Sequence, residues 1–248
     1  MELKHATLLL VEDEPFLREI MCAWLERAVG RALCAENGRE AARIVAANKV
    51  DLIISDVRMP VMDGIALLKQ INERPTPRPR LIFITGFSDL TLREAYDMGA
   101  EAILEKPIKR EELLEIAKTS LASVEELWRH PAGTAAEPQL KASFLSLPTA
   151  LQEKRIGIGR RGFCIKPPHA LRKGPVKFAV EFREERIVLS GQGIVRWMAP
   201  EETVAGIEIT HLDLPGRNWM IGHLKRSKPL AFIPSSPGLE HRLQSKVA

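Results

Sequence analysis

The chain has 248 residues, of which 45% are apolar, 27% charged and only 5% aromatic, with a formal net charge of +4. That composition suits one or two globular domains and excludes a disordered or collagen-like chain. The apolar run Leu8–Val11 is far shorter than the roughly 20 residues of a membrane span. Glu12, Asp13 and Glu14 follow it at once, which also excludes a signal-peptide core. The sequence reads as that of a cytoplasmic protein with no membrane insertion.

Apolar stretches rich in β-branched residues alternate with helical periodicity as far as residue 128. Strands are expected at Thr7–Val11, Ala32–Glu36, Leu52–Ser55, Leu81–Thr85 and Ala102–Leu104, with helices near 15–28, 38–48, 63–73, 88–97 and 110–128. Strict βα alternation predicts an α/β doubly wound, parallel five-stranded sheet with helices on both faces. The strand C-terminal ends then carry the site. In the last helix, Leu113, Ala117, Leu121, Val124 and Trp128 share one apolar face.

Periodicity stops at residues 129–142 (RHPAGTAAEPQLKA), which read as a linker. Short strands follow at Gly162–Lys166, Val176–Phe182, Arg186–Leu189, Gly193–Met198 and Val204–Thr210, punctuated by Gly and Pro. Without intervening helices they predict a small antiparallel β-barrel over residues 143–233, closed by one helix near 217–226. From Pro234 to residue 248 the chain is polar and reads as a flexible tail. The organisation is therefore a domain at 1–128, a linker at 129–142, a barrel at 143–233 and a tail at 234–248.

Cys22, Cys34 and Cys164 are odd in number and lack metal-ligand spacing, so they read as packing residues rather than a disulfide framework or zinc site. Charge divides unevenly: residues 1–129 carry a net −4 and the remainder +8. Two parts of opposite sign point to two different tasks.

The chemistry concentrates at the strand ends of the first part. Glu12 and Asp13 follow the first strand, Asp56 the third and Thr85 the fourth, while Lys106 comes just after the fifth. A parallel sheet converges these ends on one edge, where three carboxylates would repel one another unless a cation sat among them. Hard oxygen ligands suit Mg²⁺. A lysine and a hydroxyl beside a nucleophilic carboxylate complete what reversible phosphorylation of an aspartate needs.

Residues 4–124, through LLLVEDEP, DLIISDVRMPVMDG, LIFITGFSD and AILEKPI, resemble the receiver domain of two-component response regulators. The resemblance implies a flavodoxin-like fold with Asp56 as phosphoacceptor. It further implies Mg²⁺ held by Asp13 and Asp56 directly, by Glu12 through water and by the backbone carbonyl of Arg58, with Thr85 and Lys106 as the switch pair. Ile103 stands three residues before the lysine, where many members carry an aromatic.

The second part resembles a PilZ domain over about residues 140–226, through IGIGRRGFCI and GQGIVRWMAPEETVAGIEITHLD. Members that bind cyclic di-GMP carry an RxxxR motif and a [D/N]xSxxG motif. Here the second aligns with Gly157–Gly162 and keeps only its last glycine, and Ser143–Glu153 contains no arginine. The sequence therefore argues against cyclic di-GMP as ligand, leaving Arg155, Arg160 and Arg161 as candidates for weak anion contacts.

Together these features imply a response regulator rather than an enzyme. A histidine kinase would phosphorylate Asp56, and the degenerate PilZ-like part would signal through an unidentified protein partner, with a receiver-mediated homodimer compatible. A hydrolase would want an acid two residues after its nucleophile, where Arg58 stands. Two alternatives stay open: a cyclic di-GMP effector with a non-standard site, and a transcription regulator using the basic second part. No helix-turn-helix pattern or RNA-type aromatic platform supports nucleic-acid binding.

Overall fold

The structure, a computed structural model, describes residues 2–75, 77–86, 90–123, 126, 128, 129, 139–199, 201 and 203–238. The chain divides into two compact units, Met1–Ser123 and Val124–Ala248.

The first unit is built on β1 (Thr7–Val11), β2 (Arg31–Ala35), β3 (Leu52–Asp56), β4 (Arg80–Thr85) and β5 (Ala102–Glu105). These form a five-stranded sheet in the order β2-β1-β3-β4-β5, with every pair parallel. This is the doubly wound order 2-1-3-4-5. The continuous apolar runs follow from burial on both faces. Leu9 and Val11, Ile53, and Leu81 and Phe83 pack with Ala41, Val45, Leu67 and Ile71 of α2 (Gly38–Ala47) and α3 (Gly64–Asn72). The alternate residues Leu8, Leu10, Leu52, Ile54, Ile82 and Ile84 pack with Met21, Leu25, Leu113 and Ala117 of α1 (Pro15–Glu26) and α5 (Arg110–Ser120).

The helix starts are written in short polar residues. Asn37, Asp63 and Thr91 accept from backbone N–H groups three residues on, capping α2, α3 and α4 (Leu92–Met98). Thr91 and Glu94 form a reciprocal capping box. The head of the helix expected from residue 88 lies outside the described residues.

Two expectations for the first unit are corrected. The last helix ends at Ser120, not 128, because the Arg80 guanidinium takes the carbonyls of Ser120 and Ala122. Trp128 belongs to the second unit, where its carbonyl accepts from the Leu212 N–H at 3.3 Å and its neighbour Arg129 bridges to His211. The apolar spacing that joined Leu121 to Trp128 thus runs across a domain boundary. Cys22 of α1 and Cys34 of β2, read as packing residues, are paired as a disulfide with their Cα atoms 6.6 Å apart. Cys164 is buried and takes no part in a disulfide.

The second unit contains β6 (Leu140–Phe144), α6 (Leu147–Gln152), β7 (Ile156–Ile158), β8 (Gly162–Ile165), β9 (Gly174–Phe182), β10 (Ile187–Ala199), β11 (Val204–Leu212) and α7 (Leu214–Ser227). Its six-stranded sheet runs β6-β9-β10-β11-β8-β7. The expected wholly antiparallel barrel is corrected to a mixed sheet, since β6 lies parallel to β9, and among the described residues β6 and β7 are edges. The two strands expected at 186–189 and 193–198 are one, β10, which shifts register against β11 at Gln192/Gly193 and Val195/Trp197. Most of the linker expected at 129–142 lies outside the described residues, and its last residues belong to β6.

Phe144, Phe182, Trp219 and His223 stack in sequence at centroid spacings of 5.9, 5.4 and 5.8 Å, tying β6 and β9 to α7. The segment after α7 folds back along β7. Arg160 and Arg161 N–H groups donate to the carbonyls of Ala231 and Phe232 at 2.8 and 3.1 Å, and Gly238 N–H donates to Ile156 at 2.8 Å. Ala231, Phe232 and Ile233 are buried. The expected mobile tail therefore begins too early at Pro234: residues 234–238 are packed, because they cover an edge strand whose backbone needs partners.

Candidate functional site

The C-terminal ends of β1, β3 and β4 and the residue after β5 bring Glu12, Asp13, Asp56, Thr85 and Lys106 to one edge of the first sheet. Oxygens of Glu12, Asp13 and Asp56 lie within 4.8 Å of one another. Glu12 is 1% exposed and Asp56 7%, whereas Asp13 faces solvent. The Lys106 ammonium reaches between the two buried carboxylates, 3.0 Å from Glu12 Oε2 and 2.5 Å from Asp56 Oδ2.

The electrostatics follow from that burial. Desolvation pushes the Glu12 carboxyl above the usual carboxylate range, partly offset by the Lys106 hydrogen bond and charge. Burial alone would lower the Lys106 ammonium, but its hydrogen bonds to Asp56 and Glu12 and the charge of both carboxylates together outweigh it and raise the group above its ordinary value. A cation among these oxygens is thus what the site favours, and the lysine already supplies one. Three carboxylates with hard oxygen donors also fit a Mg²⁺ ion.

The backbone fixes the phosphoacceptor candidate. The Arg58 N–H donates to Asp56 Oδ1 at 3.1 Å, and Ser55 Oγ donates to the Asp56 carbonyl at 2.8 Å. Gly64 opens α3 so close to that carbonyl that a Cβ would collide with it, which is why the MDG segment ends in glycine. Thr85 is buried, and its carbonyl accepts from the Lys106 N–H at 2.8 Å, so the two switch candidates are joined through backbone. Both line a cavity of about 560 Å³ with Leu90, Thr91, Leu92 and Ile103. The isoleucine, smaller than an aromatic, borders this space.

The structure also holds a residue the sequence reading passed over. Arg18, on α1, donates through Nη1 to the carbonyls of Glu12 at 2.7 Å and Asp13 at 3.2 Å. Its place one turn into the helix that follows the acidic pair was the available signal.

The candidates of the second unit do not assemble into a comparable cluster. Arg155 lies over the Phe144 ring, 5.6 Å from its centroid, and Arg160 Nε donates to the Leu230 carbonyl at 2.9 Å. Arg161 is bound through its backbone to Phe232 and Ile209. No helix among the described residues is long and apolar enough to cross a membrane.

Comparison with known proteins places the first unit. Residues 8–118 match the response regulator receiver domain family. The chain is 34% identical over 113 residues to the positive alginate biosynthesis regulatory protein of Pseudomonas aeruginosa, covering 44% of this chain and 45% of that one. It is 37% identical over 122 residues to the DNA-binding transcriptional regulator NtrC of Escherichia coli, covering 47% of this chain and 25% of that one. The match thus spans less than half the length of these relatives. Among solved structures, chemotaxis protein CheY4 of Vibrio cholerae is 30% identical with a TM-score of 0.44, covering 47% of this chain and 99% of that one. The five-stranded order, the strand-end carboxylates with their lysine and the family match agree: the N-terminal unit of this chain is a response regulator receiver domain, a regulatory module and not an enzyme.

Proposed function

We propose that this chain is a two-component response regulator phosphorylated on Asp56. The observation that carries the reading is the Lys106 ammonium set between Asp56 and Glu12, with Asp13 in ligating range, inside the segment that matches the receiver family. An Asp56 carboxylate oxygen attacks the phosphorus of a phosphohistidine on the kinase. A P–O bond forms as the P–N bond breaks, and the imidazole keeps the electron pair and takes up a proton from solvent.

Asp13 and Asp56 directly, Glu12 through water and the Arg58 carbonyl would hold Mg²⁺, which when bound neutralises charge on the phosphoryl oxygens. Lys106 exchanges its carboxylate partner for the phosphoryl group, and Thr85 donates its hydroxyl to it. Both movements border the cavity beside Ile103, so that cavity is where the change of state is felt.

The second unit is read as a PilZ-like output that acts by protein contact. Supporting this, Gly157 and Gly159 stand where ligand-binding members carry polar side chains, and both lie against the chain's own returning segment. A Cβ at Gly157 would meet Ser236 O at 3.0 Å, and one at Gly159 would collide with the Phe232 carbonyl. A DNA-binding regulator is the second reading, favoured by the net +8 beyond residue 129 and by the relative named as a DNA-binding regulator. Affinity for mixed DNA that falls steeply with salt would support it.

Incubation with a small phosphodonor and Mg²⁺ tests the main reading. Intact mass spectrometry should show one phosphoryl group on the wild type and none on Asp56→Asn. Labelling that survives in the variant would overturn the assignment.

A further inference from the structure

We propose that Arg18 is a positioning residue for the cation site: its guanidinium fixes the loop bearing Glu12 and Asp13, and so sets how tightly the carboxylates hold Mg²⁺. This inference rests on the reading of the acidic pocket given above.

Three successive acidic residues, Glu12, Asp13 and Glu14, leave the end of β1, and two of them must stay within 4.8 Å of Asp56. Mutual repulsion pushes such a loop outward. On the strand side, Glu12 N–H is tied to the Ala35 carbonyl at 3.1 Å. On the helix side, the two carbonyls that follow are both taken by Arg18 Nη1, at 2.7 and 3.2 Å. Glu14, the N-cap of α1, makes no side-chain cap bond, and its N–H reaches the Glu12 carboxylate at 3.4 Å, so from the helix side the loop carbonyls of Glu12 and Asp13 are held by Arg18.

Arg18 is half-buried on a helix whose Met21 and Leu25 are fully buried, and its planar head is fixed from a rigid support. These hydrogen bonds go to the peptide carbonyls of the acidic residues and leave the carboxylate oxygens for a cation. The arrangement is that of an outer residue that orients ligands without touching the ion. Removing such partners weakens metal affinity by about tenfold or more.

The sign of the effect separates this role from simple charge. If Arg18 were only a nearby positive charge, its loss would tighten Mg²⁺ binding; as a positioning residue, its loss weakens it.

The test is calorimetric titration of the full chain with MgCl₂. Arg18→Gln should weaken binding by about tenfold, and Arg18→Lys, which keeps one donor group, should fall between. Phosphorylation by a small phosphodonor should be slowed in Arg18→Gln at limiting Mg²⁺ and return to the wild-type rate at saturating Mg²⁺. Arg80→Gln serves as the structural control. It removes an equivalent guanidinium–carbonyl contact at the far end of the same unit, and should lower the thermal midpoint without changing Mg²⁺ affinity. If Arg18→Gln does not fold, Arg18→Lys decides. Equal or tighter Mg²⁺ binding, or a rate defect that persists at saturation, overturns the proposal. A wild type that binds no Mg²⁺ overturns the acidic-pocket reading and this inference with it.

Discussion

In the first unit the polar end of the sheet is left open, with two buried carboxylates and a solvent-facing third held near a single lysine. In the second, the turn between β7 and β8 is closed by the chain's own residues 230–238, whose carbonyls satisfy Arg160 and Arg161. The first arrangement is electrostatically unfinished: like charges stay together only because a cation is present, and the proposed phosphoryl group would change the balance. The second is finished, its backbone partners internal and its apolar side chains buried. Chemistry belongs where the fold leaves a polar problem unsolved.

The largest effect that could break this contrast lies in the closed region. Phe232→Ala removes a buried ring from the returning segment and should cost the second unit about 3–5 kcal/mol in urea denaturation. A loss below about 1 kcal/mol would show that the segment is only draped over β7. Next, Gly159→Ala forces a methyl into the Phe232 carbonyl and should cost about 2 kcal/mol, read as a fall in thermal midpoint. An unchanged midpoint would mean that the segment can step aside.

In the open region, Lys106→Met leaves Glu12 and Asp56 without their cation. The expected loss is about 2 kcal/mol in metal-free buffer, largely recovered on adding Mg²⁺. Stability indifferent to both changes would count against the view that charge balance holds this edge together.

The smallest effect sharpens the comparison at α4, which borders the cavity. Hydrogen bonds from the Thr91 hydroxyl and backbone N–H hold the Glu94 carboxyl below its ordinary value of 4.5. A lowered group contributes stability above its unfolded value, and that contribution is lost as pH falls through the folded value. Wild type should therefore exceed Glu94→Gln by less than about 1 kcal/mol at pH 7, with the gap vanishing on acidification below the folded value. A gap that persists there would locate the effect in helix propensity.

What the sequence made legible was whatever is local or periodic. The five βα repeats are visible because their strands are buried on both faces, and the site residues because each marks a strand end. Lys106 stands out in this way, whereas the Arg58 carbonyl entered only through the receiver resemblance. Arg18 was missed because its role is a side chain reaching back to peptide carbonyls, a contact with no composition of its own. The pairing of Cys22 with Cys34 depends on α1 lying beside β2, which residue counting does not show. In the second unit, strand β6 was hidden within a linker-like stretch, because Leu140 and Phe144 acquire their partners only from β9, more than thirty residues later. Pro234 and Pro237 read as tail residues because Ser- and Pro-rich composition describes an edge cover as well as a free end.

That last arrangement has a consequence for synthesis. The first unit is assembled from neighbours in sequence and can complete its sheet once residues up to β5 and α5 have emerged. The second must keep β6 waiting until β9 exists, and β7 uncovered until residue 238 has left the ribosome. In the second of these intervals the β7 edge is open to other chains. Translation that stalls after β11 has emerged but before residue 230 has should therefore expose a sticky, nearly complete sheet while the receiver is already folded, a vulnerability set by chain order rather than by final stability.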